Sequence, residues 1–293
     1  MTGEKKCMAP LVPLAPLRKI HSAGQADRGS SRFSCPFVLF VDLTLISGFP
    51  GVASAPSFPR FPVIDRTNVA ALIPCYFEAK RIRDVAARVK EQLDMVLVVD
   101  DGSTDGTENE ARAAGVEVIR HSVNQGKGAA IKTGMRALAE RAGLEYALIL
   151  DGDGQHAPEE IPRFLAAANE SKAPMLVGSR MSDTRKMPFV RKMTNRFMSS
   201  QISKVCGQEV PDTQCGFRMI HRDLLPAMVE IATTKFDYET EMLVVASRKG
   251  CKIAAVPIST IYGDEKSKIH PVRDTVRFIE MMQRFKREAG GGK

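Results

Sequence analysis

Two aspartates one residue apart, Asp151 and Asp153, follow the apolar run Tyr146 to Leu150, with Gly152 and Gly154 interleaved. A glycine between two carboxylates lets the backbone turn tightly enough to aim an oxygen from each side at one small hard cation. Gln155 adds a carbonyl oxygen. Mg²⁺ or Mn²⁺ held in this way keeps its remaining positions for water and for the phosphate oxygens of a substrate. A solvated Asp-Gly turn is the plainer account of such a pair, but its place directly after a strand-like run argues for a ligand-holding loop. A calcium loop does not fit. Twelve residues counted from Asp101 put Arg112 where the closing Glu belongs, and from Asp151 they put His156 at the Gly position and Pro162 at the end.

Three other apolar runs end in the same kind of chemistry. After the first comes Pro74-Cys75-Tyr76-Phe77-Glu78, after the second Asp100-Asp101-Gly102-Ser103-Thr104-Asp105-Gly106, and after the third Asn124-Gln125-Gly126-Lys127-Gly128. Asp100, at a strand tip, can accept hydrogen bonds from a base or a ribose. Asp101 and Ser103 to Asp105 can equally cap the helix that follows. Glu78 is either a first-turn partner of the helix dipole or a ribose contact. Gly126-Lys127-Gly128 opens a helix, where free N–H groups and a lysine suit a phosphate, although the Walker ending GK[ST] is absent.

These loops need a frame, and the pattern supplies one. Strand-like runs at Val69 to Ile73, Met95 to Val99, Val116 to Ile119, Tyr146 to Leu150, Met175 to Val177 and Lys252 to Val256 alternate with helical stretches. The helices are expected at roughly 79–93, 104–114, 127–142, 158–169, 189–205, 238–249 and 271–287. Such alternation predicts an α/β fold, a mostly parallel sheet flanked by crossover helices. In an open sheet of this kind the ligand sits outside the carboxyl ends of the strands, where all four loops fall.

Composition narrows the partners. Lys and Arg number 42 against 34 Asp and Glu, a net charge of +8 that favours anionic ligands. With 6% aromatics and no Trp, the chain lacks the stacking platforms of a single-strand nucleic-acid binder. The six cysteines show no CxxC and no metal-ligand spacing, so they read as reduced thiols of a cytoplasmic protein. Residues 1–66 hold eight of the seventeen prolines and no sustained period, which predicts a Pro-rich extension of low order. Its most apolar stretch, Phe37 to Phe49, contains Asp42 and is far short of a spanning helix.

Taken in order and spacing, Pro74 to Glu78, Asp100 to Asp105, Asn124 to Gly128 and Asp151 to Gln155 resemble the inverting glycosyltransferases of family 2, and most nearly the polyprenyl- or dolichyl-phosphate mannosyl- and glucosyltransferases. Gly178-Ser179-Arg180, Asp212 to Arg218, Phe236 to Glu241 and Ser267-Lys268 extend the likeness, which covers about residues 68–285. The resemblance implies a GT-A fold over 67–288, a Rossmann-like nucleotide half with a DxD metal motif, followed by a short tail at 289–293. It implies that Pro74, Cys75, Tyr76, Glu78 and Asp100 hold the nucleoside, and that Asp151, Asp153 and Gln155 bind Mg²⁺ or Mn²⁺ at the diphosphate. Asp101, Gly126, Lys127, Arg218, Ser267 and Lys268 are counted with them as binding residues, Lys268 with Arg273 on the acceptor side. Arg180 would neutralise the leaving diphosphate, and Arg191 would reach a phosphate from an acceptor loop. Arg191, Lys192 and Arg196 read as well as a solvated helix face, and Arg218, on an alternating strand, as an ion-pair partner of Asp212 or Glu241.

The implied reaction is a single displacement at the anomeric carbon of a nucleotide-activated hexose, of the GDP-mannose or UDP-glucose type. A lipid-phosphate acceptor needs no strong base. A hydroxyl acceptor does, and Asp212 is then the first candidate, with Glu239 or Glu241 behind it. Many members of the subgroup continue into transmembrane helices, whereas here a basic helix carries Phe278, Met281, Met282 and Phe285 among its arginines. That stripe is either packed core or a peripheral attachment to an anionic leaflet at the inner membrane face. Two rival classes stand beside this reading. A sugar nucleotidyltransferase needs a GGxGTRL opening where Pro74 to Glu78 stands, and a non-catalytic basic binding protein predicts damaged metal ligands.

Overall fold

The first apolar run folds as strand β1 (Val69–Cys75), buried along all seven residues. The structure is a computed structural model and describes residues 62–182, 187, 189–234, 237–259, 261, 278–285 and 287. After β1 come α1 (Ile82–Gln92), β2 (Met95–Asp100), α2 (Thr107–Ala113), β3 (Glu117–Arg120), α3 (Lys127–Ala139), β4 (Tyr146–Ile149) and α4 (Ile161–Ser171). The second half runs β5 (Met175–Ser179), α5 (Phe189–Cys206), β6 (Arg218–His221), α6 (Leu225–Val229), α7 (Asp237–Arg248) and β7 (Ile253–Pro257). Residues 278–285 are helical.

The seven strands form one sheet in the order β3-β2-β1-β4-β6-β5-β7. All neighbours are parallel except β6, which runs antiparallel to both β4 and β5. Continuous apolar runs suit such a sheet, because helices cover both faces and leave no polar side. β6 is the one strand outside the six apolar runs. It has four residues, Arg218 to His221, and is a strand because it fills the space between β4 and β5 rather than because of local propensity.

β1 lies between β2 and β4 and pairs in parallel with each. The chain builds β2 and β3 on one side of β1 and then crosses to β4 on the other. Strand order therefore reverses between β1 and β4, which makes the crevice beyond their carboxyl ends a topological switch point. The register sets Cys75 opposite Asp100.

Several boundaries shift for local reasons. α2 begins at Thr107, later than expected: Gly106 stands at its N-cap with φ of 93°, and just ahead of it the Asp105 carboxylate accepts from the Thr107 backbone N–H at 3.1 Å in a local turn. Packing begins ahead of β1. Ile64 is buried and exchanges two backbone bonds with the Asn169 side chain, at 2.9 and 2.7 Å. Within residues 278–285, Phe278, Met281 and Phe285 are buried core residues, so this part of the stripe packs inward. Among the described residues no helix is long and apolar enough to cross a membrane. The expected extension up to residue 61, the tail at 289–293 and the start of the last helix lie outside the described residues.

Candidate active site

The loop after β1 turns outward at once. Tyr76 and Phe77 are exposed, with ring centroids 4.2 Å apart, and Phe77 has φ of 58°, a left-handed conformation rare for an aromatic residue. Ser103 holds it there. Its Oγ accepts from the Phe77 N–H at 2.9 Å and itself donates to Asp100 Oδ1. Thr107 Oγ1 similarly accepts from the Glu78 N–H at 2.9 Å. Neither hydroxyl signals a site by itself in the sequence. Cys75 is buried beside these residues, and burial pushes its thiol well up, so it offers no thiolate nucleophile.

Asp100 is fully buried at the tip of β2. Oδ1 is occupied by Ser103, while Oδ2 accepts no hydrogen bond, its ion-pair neighbour being Arg120 Nε at 3.8 Å. A buried carboxylate oxygen without a donor is costly unless a ligand supplies one. Asp101 differs. Its carboxylate accepts from the Gln125 and Gly126 N–H groups at 2.9 and 2.8 Å and meets His121 Nδ1 at 2.7 Å. His121 Nε2 continues to Thr133 Oγ1 at 2.9 Å. Asp101 thus ties the loop before α3 to the tip of β2, while Gly102 (φ +78°) passes so close to Val123 that a Cβ would lie 2.6 Å from its carbonyl carbon.

The loop after β4 carries Asp151, Asp153 and Gln155, all partly exposed. His156 closes it from beneath. The Asp151 N–H donates to His156 Nδ1 at 3.2 Å, and the imidazole, buried against Phe217 with centroids 5.2 Å apart, is held below its ordinary pKa by burial. The Gln155 N–H donates to Asp153 Oδ1 at 2.9 Å. Burial and the adjacent Asp151 charge push the Asp153 carboxyl up. Burial also acts upward on Asp151, but Lys127, His156 and Arg180 outweigh it and the net shift is down. Asp153, Gly154 and Gln155 face Lys80, Arg81 and Asp84 across a cleft of about 370 Å³.

This donor set fits a hard divalent ion. Burial and the Asp151 charge disfavour ionisation of Asp153, so a cation placed between the two carboxylates is favoured. Among the described residues no third His, Cys, Asp or Glu completes a closed metal nest, so water and substrate oxygens would fill the other positions.

On the far side, Arg180 and Asp212 form a buried knot. Arg180 Nε and Nη2 donate to the two Asp212 oxygens at 2.7 and 2.9 Å, and the Arg180 N–H adds a third bond at 3.1 Å. Asn195 of α5 donates at 2.9 Å. Burial acts upward on the Asp212 carboxyl, yet Arg180 and Asn195 hold it below the usual carboxylate range.

Arg218 is buried without either expected acidic partner. Its guanidinium donates to the carbonyls of Cys215 (2.8 Å), Thr213 (3.0 Å) and Glu239, a role in bracing the Asp212 to Phe217 turn. Glu239 reaches the rim, 3.0 Å from Lys127. Glu241, about 200° further round the helix, pairs instead with Arg284. Pro74 and Gly126 sit at the ends of β1 and the α3 loop as expected. Arg191 is in α5, but its side chain, like Ser267, Lys268 and Arg273 entirely, lies outside the described residues.

The model of "Glycosyl transferase family 2" matches residues 70–228. A UDP-N-acetylglucosamine–dolichyl-phosphate N-acetylglucosaminyltransferase of Methanococcus voltae is 32% identical over 214 residues, 65% of this chain and 84% of that protein. An undecaprenyl-phosphate mannosyltransferase of Micrococcus luteus is 32% identical over 206 residues, 66% of this chain and 84% of the relative. The fold matches that of glucosyl-3-phosphoglycerate synthase from Mycobacterium tuberculosis in complex with Mn²⁺, UDP and glucosyl-3-phosphoglycerate. The TM-score is 0.55 at 17% identity, covering 76% of this chain and 80% of that one. The sheet is accordingly of the GT-A class.

Proposed function

The chain belongs to glycosyltransferase family 2, and on that premise we propose that it moves a hexose from a nucleoside-diphosphate donor to a polyprenyl phosphate, with inversion at the anomeric carbon. The observation that carries this reading is what the β1/β4 switch point gathers: exposed Tyr76 and Phe77 rings and a buried Asp100 oxygen that accepts no hydrogen bond on one side, the Asp151–Asp153 pair on the other. The first group suits a base and ribose. The second suits the cation that accompanies a diphosphate.

Asp151 and Asp153, with Gln155, would hold Mg²⁺ or Mn²⁺, which when bound offsets negative charge on the departing diphosphate. Asp100 Oδ2 accepts from the base, and Glu78 from the ribose. Arg180 lies near enough to Asp151 to help lower its carboxyl, so its charge also reaches the leaving group. Asp212 holds that guanidinium by two parallel bonds.

The knot also favours a phosphate acceptor. A carboxylate bonded to Arg180 and Asn195, with its pKa pulled down, is a poor proton acceptor for a sugar or lipid hydroxyl. A phosphate monoester already carries about −1.5 to −2 charge at neutral pH, so its oxygen can attack as the bond to the diphosphate breaks, and no proton has to move. Peripheral contact with an anionic leaflet agrees with α5, which exposes Phe189, Met193 and Phe197 at helical spacing and contains Lys and Arg but no acidic residue.

The test is to incubate the protein with labelled UDP- and GDP-hexoses, Mn²⁺ and a polyprenyl phosphate, then extract with organic solvent. Label in the organic phase is the expected result. Label that stays in water with every donor, attached to a soluble acceptor, overturns the lipid assignment.

A further inference from the structure

Lys127 is the first residue of α3, yet its ammonium is turned inward. It stands 2.6 Å from Asp151 Oδ1 and 3.0 Å from Glu239 Oε1, and the three side chains are only 19%, 25% and 13% exposed. Gly216 seals the group. A Cβ at that position would lie 2.9 Å from Asp151 Oδ2, 3.0 Å from Glu239 Oε1 and 3.2 Å from Lys127 Nζ. Four segments remote in the chain therefore converge on one ammonium, and one of its two acidic partners is a carboxylate assigned above to the metal.

A divalent ion and an ammonium cannot share those oxygens closely, because like charges a few ångströms apart in a partly buried site repel strongly. A lysine on a flexible four-carbon stem can yield the position, provided that a second anion receives it. Glu239 is that anion. We infer that Lys127 is an internal counter-ion for the metal loop. It neutralises Asp151 in the metal-free protein, is displaced when a divalent ion loads, and is retained by Glu239 beside the donor's phosphates.

This inference rests on the metal reading of Asp151 and Asp153, and one set of measurements separates the two. Mn²⁺ alone is titrated into the full chain without nucleotide, and free Mn²⁺ is read by electron paramagnetic resonance. Lys127→Met should bind Mn²⁺ about tenfold more tightly than wild type, since no ion pair has to be broken first. Glu239→Gln should bind several-fold more weakly, and the double variant should match Lys127→Met, because Glu239 acts through the ammonium it receives. Mn²⁺ should also raise the melting temperature of Lys127→Met more than that of wild type.

Mn²⁺ binding that Asp153→Ala abolishes but Lys127→Met leaves unchanged or weakens overturns the inference and spares the metal site. Glu239→Gln that weakens binding equally in both backgrounds overturns it as well, since that is a through-space field and not a hand-over. Absence of any Asp153-dependent binding overturns both readings. Should Lys127→Met fail to fold, Lys127→Gln takes its place in both the single and the double variant, with the same expected and the same overturning outcomes.

Discussion

The two charged regions flanking the strand ends are built to opposite plans. Around Asp212 the carboxylate is committed to Arg180 and Asn195, and its pKa is pulled down. At the tip of β2 and after β4 two carboxylates, Asp100 and Asp153, are under-committed. Asp100 Oδ2 is buried without a donor, and Asp153 is pushed up by burial and by Asp151. The contrast separates two jobs that residue type cannot distinguish. A fully bonded carboxylate fixes the direction of another side chain, whereas one short of partners binds what arrives from outside.

Removing the under-committed carboxylate should have the largest effect on activity and almost none on the fold. Asp153→Ala is expected to lower transfer at least about a hundredfold with an unchanged unfolding midpoint, since among the described residues the side chain accepts a hydrogen bond from the Gln155 N–H alone. Full Mn²⁺-dependent turnover by this variant would erase the distinction. Asp212→Asn should do the reverse in stability. It removes one charge of a buried pair, at a cost of about 3–5 kcal/mol in denaturant unfolding, and a loss under about 1 kcal/mol would show that the knot holds little.

The same pair predicts a pH dependence. The folded Asp212 carboxyl titrates below the ~3.9 of an unfolded aspartate, so the unfolded chain takes up the proton first. Its stabilising contribution is therefore complete above about pH 5 and is lost as pH falls through the unfolded value towards the folded one. Unfolding free energies of wild type should fall more steeply than those of Asp212→Asn between about pH 5 and 3. Parallel profiles would contradict the assignment.

Smaller effects sharpen the picture. Asp100→Asn should raise the donor KM about tenfold with little change in kcat, the pattern of a contact equal in ground and transition states. An unchanged KM would release Asp100 from the nucleoside. The smallest effect belongs to Arg88 and Glu159, which repeat the bidentate geometry at 2.8 and 2.8 Å on the surface, at 32% and 56% side-chain exposure. Arg88→Ala should cost less than about 1 kcal/mol by denaturation. A cost equal to that of Asp212→Asn would mean that geometry, and not burial, sets the strength of such pairs.

What was legible in the sequence was what is local. Apolar runs announce parallel strands because strands covered on both faces need them, and Asp-Gly loops directly after those runs announce a rim because short polar turns must follow them. The placement of Tyr76, Asp100, Asp151 and Asp153 follows from those signals alone. β6 escaped because Arg-Met-Ile-His has no run to read. His156, Asn195 and His121 escaped because a lone polar residue shows its partner only after the chain folds.

The amino-acid order thus determined the α/β class and which loops would share one edge of the sheet, since both depend on contacts a few residues long. Tertiary structure alone decided the division of labour among the acidic residues. Whether Asp101, Asp212 or Glu239 binds a ligand or braces a neighbour depends on His121, Arg180 and Lys127. Lys127 lies 112 positions from Glu239 and Arg180 lies 32 from Asp212. At such separations only packing determines which charges are buried together, and burial determines what a charge can do.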